Sequence, residues 1–399
     1  MNAKLIKPVD EKEVKAALFS MHPDKAPGPD GMSPLFFQRY WNTCKNDIVM
    51  AIQSFLARGH LLKALNETIV TLIPKVEAPI NLSQYRPISL CNVVYRVIAK
   101  VLANRLKRVI PNCISPAQSA FVPGRHILDN VILAHELMHF LKNKRTGRNG
   151  FMTLKLDLSK AYDRVEWQFL GRMMMKMGFC PTWVRWILNC VTTAAYSFNV
   201  NGKKVGYVKP SRGIRQGDPL SPYLFLICAE GLSNLMNQRL NNKVVTGVKV
   251  GKNCPKLSHL LFADDSLFCC KAKVQEAKQM KKMFAVYEQA SGQAINYEKS
   301  AVFFSANTKN ELRKEICAEL GNMKEAGNGR YLGLPMLVGR SKQQVFSYIR
   351  HKVKDKLQGW KRNLLSHASK EILIKSVAMA LPTYTMSCFK LPKVLCKDI

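Results

Sequence analysis

The sequence predicts an α+β fold in which apolar strands end at carboxylates and amphipathic helices connect them. Residues 152–158 alternate apolar and polar side chains at the two-residue period of a strand. Residues 258–272 have the pattern of a β-hairpin with Asp264 and Asp265 at its turn. Residues 93–110 instead place apolar side chains at helical spacing. Helices and an antiparallel strand pair therefore share one chain.

Local signals predict the elements that precede these segments. The amphipathic pattern of residues 10–20 predicts a short helix. Prolines and glycines are interleaved over residues 24–31, which indicates a tight loop, because proline fixes φ and glycine accepts positive φ. We then expect a helix over residues 34–56 and, from a β-branched run, a strand over residues 68–74.

The helix predicted over residues 93–110 has basic residues away from its apolar face, at Arg96, Lys100, Arg105 and Lys107. A face of this kind is usually solvated. A basic amphipathic helix can also lie on a membrane surface or follow a phosphate backbone, and the sequence alone leaves these alternatives open.

The strand pattern of residues 152–158 places Asp157 on a polar face opposite a buried one. Ser159 is suited to cap a following helix, which we expect to run through Trp167 and the methionines at 173–175. A methionine group on a helix is typical of core packing.

The charge balance limits the class of partner. The 399 residues include 61 Lys and Arg against 27 Asp and Glu, so the formal net charge is +34. Acidic small molecules do not require so strong a field, whereas nucleic acid does, because each neutralised phosphate releases a condensed counterion. A membrane surface is the alternative, but the basic residues are spread along the whole chain instead of forming one cluster.

Composition indicates the size of the core and the compartment. A chain of this length with 47% hydrophobic residues can form a large core and two or three subdomains. Its 12 cysteines include no Cys-x-x-Cys pair, which argues against a zinc site or a disulfide framework and for a reducing compartment, the nucleus or the cytoplasm. We find no secretory signal and no apolar stretch near the ~20 residues that span a bilayer, so we expect no membrane partner.

Three aspartates, Asp157 and the adjacent Asp264 and Asp265, follow apolar segments. A negative charge beside a hydrophobic core is unfavourable unless a counter-charge neutralises it. Two divalent cations about 4 Å apart would do so, as in phosphoryl transfer by polymerases. The alternative is that these are solvated turn residues, because Asp-Asp pairs are common in turns.

Residues 212–222 form a glycine-punctuated segment between the aspartates. We expect Asp218 to cap a helix with Pro219 at its first position. The exposed N–H groups of such a loop, together with Arg215, suit a phosphate or a nucleotide. A plain capped helix explains the same residues equally well.

Residues 135–139 fit the H-E-x-x-H pattern of zinc hydrolases on a predicted helix. The glycine and third histidine of the longer metzincin pattern do not follow. An amphipathic helix explains the segment without zinc, with a core face formed by Ile132, Leu133, Leu137 and Phe140. We therefore predict no zinc site here.

These segments together resemble the reverse transcriptases of LINE-type non-LTR retrotransposons, most closely the flowering-plant branch of that family. The resemblance covers nearly the whole chain. The matching motifs follow the family's order: residues 25–31 upstream of the fingers, 72–75 with 85–90 and then 121–125 in the fingers, 156–163 with the first catalytic aspartate, 215–222 in the nucleotide-binding loop, 262–265 in the catalytic hairpin, 291–300 after it, 331–335 in the primer grip, and 360–392 at the start of the thumb.

The resemblance implies a right-hand polymerase with fingers, a palm that holds an antiparallel sheet, and the start of a thumb. An extension to the fingers would occupy residues 1–65, the fingers and palm residues 66–338, and the start of the thumb residues 339–399. The implied activity is RNA-directed DNA polymerisation on an RNA template, with a DNA primer or target and dNTPs.

The resemblance also implies roles for the matched positions. Asp157, Asp264 and Asp265 would be catalytic and would bind two Mg²⁺ ions, with Mn²⁺ as a possible substitute. The implied nucleotide-binding residues are Lys75, Arg86, Tyr162, Arg215, Gln216, Gly217 and Lys299. Among these, Lys75 and Arg86 would clamp the triphosphate. Tyr162 would exclude a ribose 2′-hydroxyl, and Lys299 would protonate pyrophosphate.

Full-length members of this family carry an N-terminal endonuclease and further C-terminal segments, and the sequence matches neither. We therefore expect a truncated copy or an excised polymerase core with reduced processivity. The alternative is a catalytically silent nucleic-acid-binding remnant or a maturase-like RNA-binding protein. Primer extension on an RNA template with Mg²⁺ distinguishes the two.

The net charge of +34 predicts that phosphate contacts dominate binding. Affinity for an RNA–DNA hybrid should fall steeply with salt, because each phosphate contact adds on the order of one unit to the slope of log affinity against log salt. Fluorescence anisotropy of a labelled hybrid between roughly 50 and 200 mM salt measures that slope. A nearly flat plot would contradict the prediction.

Overall fold

The structure, a computed structural model, describes residues 1–339, 341–361 and 365–398. It is a mixture of helices and mainly antiparallel sheets, which confirms the predicted α+β class and fits a right-hand polymerase. Residues 340, 362–364 and 399, which belong to the predicted start of the thumb, lie outside the described residues.

The helices are numbered along the chain. Those of the described residues are α1 (Asn2–Leu5), α2 (Glu11–Phe19), α3 (Pro34–Arg39), α4 (Trp41–Arg58), α5 (Val93–Lys107), α6 (Ile110–Cys113), α7 (Ile127–Asn143), α8 (Trp167–Lys176), α9 (Pro181–Thr192), α10 (Ser221–Asn241), α11 (Val274–Ser291), α12 (Asn310–Glu319), α13 (Lys342–Lys361), α14 (His367–Leu373), α15 (Thr383–Met386) and α16 (Lys393–Asp398). Within the described part of the chain, none of the helices is long and apolar enough to span a bilayer.

The strands are numbered in the same way. They are β1 (Glu67–Pro74), β2 (Tyr85–Cys91), β3 (Phe151–Leu156), β4 (Ala195–Val200), β5 (Lys203–Val208), β6 (His259–Phe262), β7 (Asp265–Lys271), β8 (Ala301–Phe304), β9 (Lys324–Glu325), β10 (Arg330–Tyr331) and β11 (Leu334–Pro335).

The chain divides into two compact units. Unit 1 comprises Met1–Arg125, Asp157–Val244 and Gln279–Asn296, and unit 2 comprises His126–Leu156, Val245–Lys278 and Tyr297–Ile399. Each unit is assembled from segments far apart in sequence. The linear boundaries expected at residues 65 and 338 stay predictions.

Unit 1 combines a four-stranded sheet with most of the N-terminal helices. The strand order is β2-β1-β4-β5, in which β1 pairs antiparallel with β2 and parallel with β4. The predicted strand over residues 68–74 is confirmed as β1. Helix α5 packs against α1, α2 and α10, so its apolar face lies in the core of this unit.

Helix α2 confirms the prediction for residues 10–20, and the Asp10 carboxylate caps it by accepting the Glu13 N–H at 2.7 Å. The single helix expected over residues 34–56 is wrong. The chain is not helical at Tyr40 (φ −99°, ψ 28°), where α3 ends and α4 begins. Phe37 and Trp41, on either side of this break, are both buried.

Helix α5 confirms the helix predicted over residues 93–110, but its basic residues are not all solvated. Arg105 and Arg96 are buried. The Arg105 guanidinium donates two 2.8 Å hydrogen bonds to the Glu13 carboxylate and two more to the Leu5 and Lys7 carbonyl oxygens. Burial of a guanidinium requires such partners, which the sequence pattern of α5 alone does not show.

Unit 2 is built on a five-stranded sheet with the order β6-β7-β3-β8-β9. Strand β3 pairs antiparallel with both β7 and β8. Met152, Leu154 and Leu156 are buried as predicted, but Thr153, expected on a polar face, is buried too. The alternation of β3 therefore does not separate a core face from a solvent face at that position.

Helix α7 packs on this sheet with a face that differs from the predicted one. Ile132 and Leu133, expected in the core, are 44% and 41% exposed. The buried residues of α7 are Asn130, Val131, Ala134, Leu137, Met138 and Leu141. The helix is apolar around much of its circumference, so its period does not determine which side faces the sheet.

Candidate active site

The hairpin that carries two of the candidate catalytic aspartates lies in unit 2. Strands β6 and β7 pair from His259 opposite Phe268 to Phe262 opposite Asp265, which confirms the predicted hairpin. Ala263 adopts a positive φ of 52° in the turn. Asp264 is exposed at this turn, and Asp265, the first residue of β7, is half-buried.

The register of β3 and β7 sets where Asp265 stands within unit 2. Leu156, the last residue of β3, is opposite Ser266. Asp157 is the next residue along the chain after Leu156, and Asp265 directly precedes Ser266. Asp265 therefore stands at the start of β7 in unit 2, and Asp157, which belongs to unit 1, is exposed.

Two residues of unit 2 support this hairpin: Asn130, which sequence reasoning did not single out, and Tyr331, which it named only as the first residue of the 331–335 motif. The Asn130 side chain of α7 donates a buried 2.9 Å hydrogen bond to the Leu261 carbonyl of β6. Tyr331 is 2% exposed and packs in one cluster with Leu260 and Leu267 of the two hairpin strands. Burial raises the pKa of Tyr331, and the negative charge of Asp265 raises it further. The hydroxyl therefore stays protonated at neutral pH.

In unit 1, residues 294–296 pair with the turn that begins at Asp157. The Asn296 N–H donates to the Asp157 carbonyl at 2.8 Å, and the Ser159 N–H donates to the Ala294 carbonyl at 2.8 Å. Between them, Leu158 and Ile295 form an antiparallel bridge. The backbone at Asp157 is thus held by a segment more than a hundred residues further along the chain.

The same segment also holds the far end of this turn. The Glu166 N–H donates to the Ser291 carbonyl at 3.1 Å. The buried Gln293 side chain donates to the Ala161 carbonyl at 2.9 Å. Gly292 has a φ of +74°, and a Cβ placed on it would lie 2.6 Å from the Arg164 carbonyl oxygen. Residues 291–296 therefore form a clasp around residues 157–166.

Ser159 does not cap a helix. Residues 159–164 form turns, and α8 begins only at Trp167 with Glu166 at its N-cap. The prediction is wrong because the Ser159 backbone N–H bonds to Ala294, so residue 159 is held in the clasp instead of at a helix start.

Tyr162 lies half-buried in this turn. Its ring stacks on the buried Phe225 ring of α10, with centroids 5.3 Å apart and an angle of 7° between planes. Its carbonyl accepts the Ile214 N–H at 2.9 Å. The residue is therefore fixed by the glycine-rich loop on one side and by α10 on the other.

Gln216 and Gly217 of that loop lie against the edge strand β2. The Gln216 carbonyl accepts the Ser89 N–H at 3.0 Å, and the Gln216 side chain is 3.4 Å from an Asp163 carboxylate oxygen. Gly217 has a φ of +101°, which favours glycine. The backbone contact to β2 continues the sheet by one hydrogen bond.

Asp218 does not cap α10 in the expected way. The helix begins at Ser221, so Pro222 and not Pro219 occupies its first turn. The Asp218 carboxylate accepts the Leu220 N–H at 2.8 Å and is itself buried. The prediction placed the helix start two residues too early.

Arg215 does not face a nucleotide in this structure. It is 4% exposed, and its guanidinium bonds to Asp218 at 3.5 Å, to the Asn66 side chain and to the Cys190 carbonyl at 3.2 Å. Its plane lies 4.3 Å from the Tyr95 ring centroid. These protein partners occupy the groups that a phosphate would need, so we withdraw the prediction of direct nucleotide contact for Arg215.

Lys75 and Arg86 meet at one end of the β1–β2 hairpin, and both are exposed. Arg86 pairs with Ile73 across the two strands. Lys75 follows β1, where its N–H donates to the Gln84 carbonyl at 2.8 Å and its ammonium donates to the Ser83 carbonyl at 3.0 Å. Both cations thus belong to the end of one strand pair in unit 1. Lys299 belongs to unit 2 and is exposed.

The two histidines of the H-E-x-x-H segment have protein partners in unit 2. His139 hydrogen-bonds Asn143 one turn further along α7, and the His135 ring contacts Phe389 edge-on with centroids 5.2 Å apart. Within either unit taken by itself, the described residues contain no group of three or more His, Cys, Asp or Glu side chains arranged to hold a metal ion.

Comparison with known proteins shows the family of this chain. A family model described as "Reverse transcriptase (RNA-dependent DNA polymerase)" matches residues 73–336, about two thirds of the sequence. The chain therefore belongs to the reverse transcriptase family.

Individual relatives include proteins of mobile elements. The chain is 31% identical over 306 residues to the "Transposon TX1 uncharacterized 149 kDa protein" of Xenopus laevis, which covers 77% of this chain and 23% of that protein. It is 28% identical over 268 residues to a "Retrovirus-related Pol polyprotein from type-1 retrotransposable element R2" of Popillia japonica. That match covers 65% of this chain and 34% of the polyprotein. An uncharacterized mitochondrial protein of Arabidopsis thaliana is 52% identical over 69 residues, which cover 17% of this chain and 57% of that protein. The chain thus spans about a quarter to a third of the first two relatives.

The clasp predicts a specific sensitivity at Gly292. Gly292→Ala should lower the free energy of unfolding by about 1–3 kcal/mol more than Gly178→Ala, because the added methyl group would collide with the Arg164 carbonyl. Gly178 is a matched control, since it has a similar φ of +83° with nothing within 4 Å of an added Cβ. Urea unfolding followed by circular dichroism measures both losses. Equal losses would show that the clasp is not tightly packed at Gly292.

Proposed function

We propose that this protein is an RNA-directed DNA polymerase of a non-LTR retrotransposon, which extends a DNA primer on an RNA template. The observation that carries the proposal is the family match across residues 73–336. Relatives named as a transposon protein and as R2 polyproteins support the retrotransposon class. The Arabidopsis match supports the further proposal that the chain belongs to a flowering-plant branch.

We propose Asp157, Asp264 and Asp265 as the ligands of two Mg²⁺ ions, with Mn²⁺ as a possible substitute. The donor set fits, because Mg²⁺ prefers carboxylate oxygens. Exposure of Asp157 and Asp264 supports this assignment. When bound, the ions would activate the primer 3′-hydroxyl and stabilise the leaving pyrophosphate.

The remaining candidate residues would bind and orient the nucleotide. Lys75 and Arg86, two exposed cations at one hairpin end, would hold the triphosphate through charge-assisted hydrogen bonds. Gln216 and Gly217 would present the loop that faces the incoming nucleotide, supported by the contact with Ser89. Lys299 would supply the proton to pyrophosphate.

The partners in this proposal are an RNA template, a DNA primer or target, and dNTPs. The +34 charge supports nucleic acid as the principal partner. We propose the nucleus or the cytoplasm as the compartment, from the cysteine pattern of the sequence. Primer extension on an RNA template with Mg²⁺ tests the activity, and binding without extension would favour a silent remnant.

The aspartate assignment predicts the effect of removing a single charge. Asp264→Asn should abolish primer extension and leave RNA binding intact, because the substitution keeps the shape of the side chain but removes a metal-binding oxygen. Extension assays and gel-shift assays measure the two properties. Asp355→Asn, at an exposed position of α13, is the control that should retain activity. Extension by Asp264→Asn at the wild-type rate would exclude the two-metal assignment.

The position of Tyr162 predicts a role in sugar discrimination. Its ring would fill the space of a ribose 2′-hydroxyl, and its stack on Phe225 holds it in place. Tyr162→Ala should reduce discrimination between matched dNTPs and rNTPs at least ~10-fold, or about 1.4 kcal/mol of differential transition-state binding. Steady-state incorporation of each nucleotide measures the ratio.

Tyr207→Ala provides the control for this test, because Tyr207 is 61% exposed on β5. It should leave sugar discrimination unchanged. If Tyr162→Ala slows incorporation of both nucleotides equally, the residue serves packing on Phe225, and the gate assignment is excluded.

A further inference from the structure

A buried polar network lies directly beneath the glycine-rich loop of unit 1. Its members are Asn66, Tyr95, Arg215 and Asp218, which are 0%, 0%, 4% and 6% exposed. They come from three separate regions of the sequence, yet every member belongs to unit 1. Fully buried ionised groups are rare unless they have specific partners, so this network requires an explanation.

The Arg215 guanidinium uses its two terminal nitrogens and its plane. One terminal nitrogen faces the Asp218 carboxylate at 3.5 Å, and the other donates to the Asn66 side chain and the Cys190 carbonyl. The plane of the group covers the Tyr95 ring at 4.3 Å. An ammonium group has neither a fork of donors nor a plane, so a lysine could not reproduce this set of contacts.

The Asp218 carboxylate completes the network. One of its oxygens accepts the Tyr95 hydroxyl at 2.5 Å, and the other accepts the Leu220 N–H at 2.8 Å. Burial raises the pKa of Tyr95 well above its ordinary value, so the hydroxyl keeps the proton that it donates. Asn66 in turn bonds Thr193 at 2.7 Å, which ties the network to the end of α9.

Arg215 and Asp218 bracket Gln216 and Gly217, the two loop residues assigned to the nucleotide. With both flanking side chains anchored in the core, the intervening peptide has little freedom. The Gln216 carbonyl meets the Ser89 N–H of β2 in this arrangement. A shift of the anchors would therefore move the loop backbone directly.

Stability alone does not account for such a network. Well-packed apolar residues often replace a buried ion pair without loss of stability, because desolvation offsets the Coulombic gain. A fixed loop geometry, in contrast, requires directional bonds, and the network supplies them at both ends of the Gln216–Gly217 peptide.

We propose that Arg215, Asp218, Tyr95 and Asn66 form a buried clamp that positions Gln216 and Gly217 for the incoming nucleotide, without touching the nucleotide themselves. They are thus positioning residues. The proposal rests on the proposed polymerase function for its kinetic consequence, but its structural consequence, a fixed loop backbone, is independent of catalysis.

Two conservative variants test the clamp. Arg215→Lys keeps the charge but removes the fork, and Tyr95→Phe removes only the hydroxyl that donates to Asp218. Hydrogen exchange at the Ser89 amide should become about 10-fold faster in either variant, because its bond to Gln216 opens more often. At saturating template and primer, the KM for dNTP should rise about 5–10-fold with a smaller change in kcat and an unchanged Kd for the RNA–DNA hybrid.

Arg105→Lys is the matched control. Arg105 is equally buried in unit 1, at 3% exposed, and likewise bonds a carboxylate and backbone carbonyls, but it lies away from the loop. Its substitution should lower the melting temperature to a similar degree and leave both the Ser89 exchange rate and the KM for dNTP at wild-type values.

Separate outcomes bear on the clamp and on the polymerase function. Unchanged Ser89 exchange in both clamp variants would overturn the clamp, as would an equal response in Arg105→Lys. If Arg215→Lys does not fold, the milder Tyr95→Phe decides the question by the same exchange measurement. Absence of primer extension by the wild-type protein would instead count against the polymerase function, and the exchange result would still test the clamp.

Discussion

The two-sided pairing of β3 is the constraint on which the placement of Asp264 and Asp265 within unit 2 depends. Hydrogen bonds to β7 on one side and β8 on the other leave this strand no free edge. A slip by one residue would exchange its faces and expose Met152, Leu154 and Leu156, which are at most 1% exposed. Hydrophobic burial therefore fixes the register, and the register determines where β7 begins at Asp265 opposite the end of β3.

Elements whose signals are local could be predicted from the sequence. Strand β1, helix α2 and the β6–β7 hairpin follow from β-branched runs, amphipathic spacing and a turn between apolar segments. The errors arise where distant segments compete for the same backbone groups. Ser159 has the chemistry of a helix cap, but its N–H bonds to Ala294. No local pattern reveals a partner 135 residues away, so the clasp by residues 291–296 could not be predicted from the sequence.

The candidate site shows the same limit for side chains. A basic residue in a glycine-rich loop is a reasonable phosphate ligand, and Arg215 has this sequence context. Its partners Asn66 and Tyr95, however, lie more than a hundred residues earlier in the sequence. The burial of the Arg215 side chain therefore depends on those partners and not on the sequence of the loop. The assignment of the loop to the nucleotide therefore stays a proposal, and the contacts of its arginine depend on the tertiary structure.

The distribution of the basic residues follows from the chemistry of their side chains. Among the described residues, the fully buried basic side chains are the arginines Arg96, Arg105 and Arg215, and the lysines remain at least partly exposed. A guanidinium can satisfy its donors through a planar fork inside the protein, whereas an ammonium is more strongly hydrated and loses more on burial. Most Lys and Arg of the described residues are thus left to act at the surface, where charge can attract phosphate at a distance. The few buried arginines contribute little to that field, because carboxylates such as Glu13 and Asp218 offset it locally, and they instead order the backbone around them.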